Sequence, residues 1–165
     1  MINKKIQNSA VVMSMVMLPH QANVAGNVHG GEIMKLMDNA AYVVAHRHAR
    51  ANVVTARVDE LAFHHPILVG NLVICHAHLT FVGTSSMEVT VVVEVEDLYK
   101  ESSQKCALSA YFTMVALNAG GHPMKVPSLE LTTEEEKIQF NEGQKRYEEH
   151  KGKVKNCHVP RNYQI

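Results

Sequence analysis

The sequence predicts an α+β fold: a five-stranded antiparallel sheet wrapped around one long central helix, with a polar helix appended near the C-terminus. Three observations lead there. The order is one strand-like run, one long helical run and then four strand-like runs, which is not the alternation of a parallel α/β sheet. In the last group Met87, Val89, Val91, Val93 and Val95 share one face by strict alternation. Opposite them lie Ser86, Glu88, Thr90, Glu94 and Glu96, with only Val92 out of pattern. From Thr132 the composition changes and reads as a separate polar helix.

Taken in order, residues 6–18 read as the first strand and Pro19 to Gly30 as a loop. A basic start before a Val/Met run faintly resembles a signal peptide, but no small-residue cleavage site precedes Pro19, and the strand reading is preferred. Gly31 to about Arg50 reads as one helix of 20 residues, about 30 Å long. Strands are expected at about 53–63, 71–82, 86–98 and 104–117, with Gly83-Thr84-Ser85 as a tight turn between two of them. Thr133-Glu134-Glu135-Glu136 is a helix start, a capping hydroxyl followed by carboxylates at the positive end of the dipole, and that helix runs to about Lys151. The chain thus divides into a main domain over 6–127, a helical extension over 128–151 and a mobile tail over 152–165. One sheet layer leaves a flank and a strand edge open, which calls for a partner.

Composition narrows the function classes. Hydrophobic residues make up 46% of the chain and aromatics only 5%, so Val, Met, Ala and Leu must build the core. A formal net charge of zero argues against a nucleic-acid partner. No run approaches the ~18 apolar residues of a membrane span, so no membrane partner is expected. Cys75, Cys106 and Cys157 are sparse, odd in number and without a CxxC, which fits a reducing cytoplasm rather than a disulfide framework. Cys75 and Cys106 fall in strand-like runs and are expected to be small buried hydrophobes.

The segment Gly26-Asn27-Val28-His29-Gly30-Gly31 carries the clearest chemical signal. The first N–H groups of a helix lack partners within it, glycines let a ligand oxygen approach them, and the dipole favours negative charge there. Asp38 follows on the same helix. At about 100° per residue it lies within about 40° of Gly31, Met34, Ala45 and Ala49, and about 60° from Ala41. The polar stripe of Glu32, Lys35, Asn39, His46 and Arg50 is centred about 80–100° away. Asp38 therefore reads as a partly desolvated carboxylate, a base or nucleophile; the bland alternative is a border Asp paired with Arg57. Seven residues, about 10 Å of helix, separate Gly31 from Asp38. That is too far for Asp38 to serve a carbonyl docked at its own helix N-terminus, so a catalytic pairing needs two subunits.

The run from Pro19 to Gly31 resembles the signature of hotdog-fold acyl-CoA thioesterases, nearest to the cytosolic (brain-type) hydrolases and YciA-like relatives. Ile33 to Asp38, Val53 to Asp59, Pro66-Ile67, Val82 to Val89 and the polar C-terminal helix extend the match over about residues 8–150. The resemblance implies a single hotdog domain, a homodimer and commonly a trimer of dimers. It implies hydrolysis of acyl-CoA to fatty acid and CoA, with CoA as part of the substrate and no metal or further cofactor. Asp38 would be the catalytic carboxylate, Asn27 of the partner subunit would orient water or thioester, and N–H groups at Gly30 and Gly31 would polarise the carbonyl. His29, Thr55, Arg57 and the turn Gly83, Thr84, Ser85 and Ser86 are the expected substrate contacts. Lys100, Lys105 and Lys125 are further candidates for phosphate.

Rival readings have less behind them. Of eleven histidines, His76 and His78 share a strand face and His64-His65 adjoin, but no cluster has strong ligand spacing, so no metal is expected. His29 can equally cap the helix or pack at an interface. No GxSxG elbow is present. A non-catalytic acyl-CoA sensor or carrier and a hotdog dehydratase remain the alternatives; retention of both Asn27 and Asp38 favours hydrolysis.

Overall fold

Alternating Val and Met side chains give each strand one face that must leave water, and the computed structural model, which describes residues 3–151, shows what covers it. The expected tail over 152–165, with Cys157, lies outside the described residues. The elements are β1 (Lys4–Lys5), β2 (Val11–Val16), α1 (Gly30–Ala49), β3 (Asn52–Phe63), β4 (Leu72–Val82), β5 (Ser86–Glu96), β6 (Lys105–Leu117), β7 (Leu129–Glu130) and α2 (Glu134–His150). Five strands form one antiparallel sheet in the order β2-β4-β5-β6-β3, and β1 pairs in parallel with β7. Ile33, Met37, Ala40, Ala41, Val44 and Ala45 of α1 are buried against the inner face of this sheet. Met87, Val89, Val91, Val93 and Val95 meet them from β5, as the alternation requires.

Two expectations need correction. Only Val11–Val16 of the expected first strand is strand; Ile6–Asn8 is a single 3₁₀ turn. The buried Ser9 hydroxyl donates to the Ile6 carbonyl at 3.2 Å and closes that turn, which lets Ile6 reach the interior. Cys75 is buried as expected, and burial pushes its thiol up to about 12. Cys106 is exposed. A register shift between Val93 and Glu94 sets it opposite Glu94, on the face away from α1.

The polar C-terminal helix packs one side on the sheet and leaves most of its residues exposed. Gly143 lies where α2 crosses the outer face of the sheet; a Cβ there would stand 2.7 Å from Phe81 Cβ. Phe81 packs on Phe140 and Tyr147. Beside them Glu88, which alternation assigned to the polar face, is only 7% exposed. Arg146 donates to both of its carboxylate oxygens, at 3.0 and 2.8 Å, and stacks 3.8 Å above the Tyr111 ring. Thr80 supplies a third donor to Glu88 at 2.7 Å.

β3 is an edge strand with two irregularities. Register shifts fall between Thr55 and Arg57 and between Asp59 and Ala62, and Glu60 has φ 52°. The first shift separates the facing of residues two apart. Thr55 lies opposite the buried Met114 and turns towards α1, whereas Arg57 pairs with Thr113 on the outer face.

His48 anchors the far end of α1. It is fully buried, and Nε2 donates to the Pro127 carbonyl at 2.8 Å, which leaves Nδ1 without a partner among the described residues. Lys4 Nζ donates to the His48 carbonyl at 2.6 Å. Burial holds the imidazole below the usual histidine pKa; the Pro127 bond opposes this and the nearby Lys4 charge adds to it.

These contacts make two predictions. Arg146→Ala strands a buried carboxylate and is expected to cost about 3 kcal/mol, read as a lower urea midpoint, with Glu88→Gln/Arg146→Met losing much less. Equal losses in the two variants would remove the ion pair from the account. Because the folded pKa of His48 is depressed, its contribution is complete above about pH 6.5 and is lost as pH falls below that value. The thermal midpoint should therefore drop from pH 7.5 to pH 5.5, and His48→Gln should flatten that part of the profile.

Candidate active site

The loop before α1 is built by a short turn. Gly26 N–H donates to the Asn23 carbonyl at 3.0 Å, with Gly26 at φ 85°, where a side chain would be strained. The Asn23 side-chain oxygen accepts from Ala25 N–H at 2.9 Å and from Asn27 N–H at 3.2 Å. Asn23 N–H in turn donates to the Asn27 carbonyl at 2.7 Å. The Asn23 oxygen is thereby occupied and its NH2 group left over, while the Asn27 side chain makes no hydrogen bond among the described residues.

His29 is the N-cap of α1. Its Nδ1 accepts from Gly31 N–H at 2.9 Å, and its carbonyl accepts from Glu32 N–H. Gly31 N–H is therefore engaged, whereas Gly30 N–H has no acceptor among the described residues. Both glycines are close to neighbours: a Cβ on Gly31 would stand 2.9 Å from His29 Nδ1, and one on Gly30 3.1 Å from the Phe63 ring. A cavity of about 250 Å³ opens here, lined by Asn23, Asn27, Val28, Gly30, Ile33, Phe63, His65, Pro66, Ile67 and Leu108.

Asp38 is half-buried on α1, and its Oδ1 accepts from the Thr55 hydroxyl at 2.6 Å. That bond leaves Oδ2 free to take a proton. Ala41 and Ala45, its small neighbours on the helix, are buried in the chain's own core. Arg57 is not the partner of Asp38: its Nε donates to Asp59 at 2.5 Å on the outer face. Asp38 does not line the loop cavity.

The remaining candidates scatter. The turn over residues 83–86 is held by Gly83 N–H to Ser86 O, Ala116 N–H to Ser85 O and Val126 N–H to Thr84 O. Ser86 and Val54 both pair with Val115, so this turn is level with the start of β3, at the other end from Gly30 and Phe63. Lys100 and Lys105 border a second cavity of about 330 Å³ with Pro66 and Ser103, and Lys100 is 3.0 Å from Asp97. Lys125 is exposed. His76 bonds Glu94 and His78 bonds Gln139. Among the described residues no group of three or more His, Cys, Asp or Glu is placed to hold a metal.

The thioesterase superfamily model matches residues 25–102. A crystal structure of a hexameric acyl-CoA thioesterase superposes with a TM-score of 0.86 at 30% identity, covering 92% of this chain and 96% of that one. The chain belongs to the hotdog-fold acyl-CoA thioesterase family. A second family structure, acyl-CoA hydrolase from Staphylococcus aureus with butyryl-CoA and CoA, gives 0.83 at 31% identity over 91% of both chains. That hydrolase has also been solved with alanine at an asparagine, at an aspartate fifteen residues later and at a threonine seventeen further on. Mouse cytosolic acyl coenzyme A thioester hydrolase is 43% identical over 136 residues, which is 82% of this chain. The chain spans only 36% of the length of that family member.

Two residues that line the loop cavity escaped the sequence reading. Asn23 had a signal, the Asn-x-x-Gly spacing to Gly26 that an Asx turn favours. Phe63 had only its rarity, as one of four phenylalanines. Gly31→Ala should push His29 off the helix start and cost about 1 kcal/mol, read as a lower thermal midpoint; an unmoved midpoint would show that the cap contributes nothing.

Proposed function

We propose that this chain hydrolyses the thioester of fatty acyl-CoA to free fatty acid and CoA, in a homodimer whose active sites are each shared between two copies. The observation that carries the reading is the Thr55–Asp38 hydrogen bond, lying eight helical residues, about 12 Å, from the free Gly30 N–H. β3 runs beside α1 with Thr55 at Asp38 and Phe63 at Gly30. Pairing the free edge of β3 antiparallel with its two-fold copy brings Phe63 and Gly30 of one chain level with Thr55 and Asp38 of the other. It also brings the turn Gly83 to Ser86 level with the partner's loop, where its hydroxyls can meet the pantetheine or phosphates of CoA. Arg57 and the lysines have weaker claims, because Arg57 and Lys100 already hold carboxylates.

In this site Asp38 Oδ2 takes a proton from water, and the water oxygen attacks the thioester carbon. The carbonyl oxygen is held by Gly30 N–H of the partner subunit, a donor worth roughly 3 kcal/mol in the barrier. Collapse releases the carboxylic acid and the CoA thiolate, which takes the proton back from Asp38 Oδ2 and restores the carboxylate. The spacing of the S. aureus variants matches that of Asn23, Asp38 and Thr55 in this chain and supports these three as members of the site. We assign the amide role to the Asn23 NH2 group on that support, with Asn27 shaping the same loop. His29 serves as the helix cap beside the substrate. Related structures described as hexameric support assembly of the dimers into a trimer of dimers, and the name of the mouse relative supports a cytosolic location.

Release of free thiol from acyl-CoA is the direct test. Asp38→Ala should lower kcat/KM by roughly 10²–10⁴ without unfolding the protein. Asn23→Ala should fall further than Asn27→Ala. Mixing Asp38→Ala with Asn23→Ala subunits should recover some activity, because one of the two sites in a mixed dimer is intact. Full activity in Asp38→Ala, or no recovery after verified subunit exchange, overturns the shared site; tight binding without turnover by the unaltered protein favours a sensor or carrier instead.

A further inference from the structure

We infer that the cavity beside the glycine loop receives the acyl chain and that Phe63 sets the length it accepts. The inference rests on the thioesterase reading and adds the substrate class. The lining divides by chemistry. Asn23 and Gly30 supply polar groups from the loop, and Ile33, Ile67, Leu108 and Phe63 supply apolar walls. A carbonyl held at Gly30 N–H stands at the mouth, so the chain behind it enters the apolar part.

Three of those walls cannot yield. Ile33, Ile67 and Leu108 are 2%, 4% and 0% exposed and belong to the core, where packing is dense and strain is transmitted. Phe63 differs. It is the last residue of β3, is 55% exposed in the single chain at an edge that the proposed dimer pairs, and its ring closes over Gly30. It is the large apolar wall that lies outside the core. A methylene group takes up about 30 Å³, so the part of the cavity that one chain encloses, about 250 Å³, has room for about eight chain carbons. Short- to medium-chain acyl groups are the substrates such a wall favours, and removing the Phe63 ring opens it.

The test is kcat/KM across straight chains from acetyl-CoA to palmitoyl-CoA. Each methylene that enters should raise it about fourfold until the cavity is full, at or before octanoyl-CoA, after which it falls. Phe63→Ala should move the maximum to longer chains, and Phe63→Leu should place it between. A maximum at palmitoyl-CoA in the unaltered protein, or an unmoved maximum in folded Phe63→Ala, overturns the assignment while leaving thioester hydrolysis intact. Absence of turnover on every chain overturns both. A second measurement avoids turnover altogether. The chain has no tryptophan, so Phe63→Trp installs a single fluorophore at the wall. Hexyl-CoA thioether, which is not hydrolysed, should change its emission and free CoA should not; identical spectra with both bound, as shown by calorimetry, overturn the proposal.

Discussion

The rise of an α-helix governs this molecule. Eight residues separate the free amide at Gly30 from the carboxylate at Asp38, and no rotamer of Asp38 spans about 12 Å. One helix thus carries both a free amide at its start and a carboxylate further along, yet cannot bring the two to one small molecule. The rest of the architecture works around that separation. The sheet encloses α1 closely enough to fix the direction of both groups. The helix stays accessible beside β3, where Thr55 holds Asp38 by one oxygen and Phe63 covers Gly30. In the proposed dimer an antiparallel copy of the same edge turns the separation into a match, since what lies too far along one helix is opposite on two.

Much of the fold was legible because its determinants are local and periodic. Alternation in β5 named the buried face residue by residue, and the strand and helix limits fell close to those observed. Cys106 was misplaced because one register shift reverses facing, and nothing in the residues around Glu94 announces that shift. Glu88 lies on the face that alternation gave it, yet it is buried. Alternation says which face a residue occupies but not whether something later in the chain covers it, and α2 covers this one with polar side chains. An Arg stacked on Tyr111 and held to a carboxylate buries area without lending the helix an apolar stripe.

The candidate site was legible in part. Asp38 and the glycines stood out through chemistry that costs energy to place, and the helix rise implied a second subunit. The division of labour inside the loop was not legible. Whether Gly30 or Gly31 keeps a free N–H depends on which way the His29 ring turns, and that is settled by a cap geometry no spacing encodes. Asn23 and Asn27 are alike in composition. They differ because one spends its oxygen on two backbone N–H groups and the other spends nothing.

The bulges of β3 have a wider consequence. A flat edge offers donors and acceptors at an even pitch and will accept any extended chain. The edge of β3 is broken between Thr55 and Arg57 and again between Asp59 and Ala62, so its pitch is uneven. A generic strand laid against it leaves groups unpaired at both breaks. Open-ended stacking of extended chains on this edge is disfavoured for the same reason, whatever partner the edge takes.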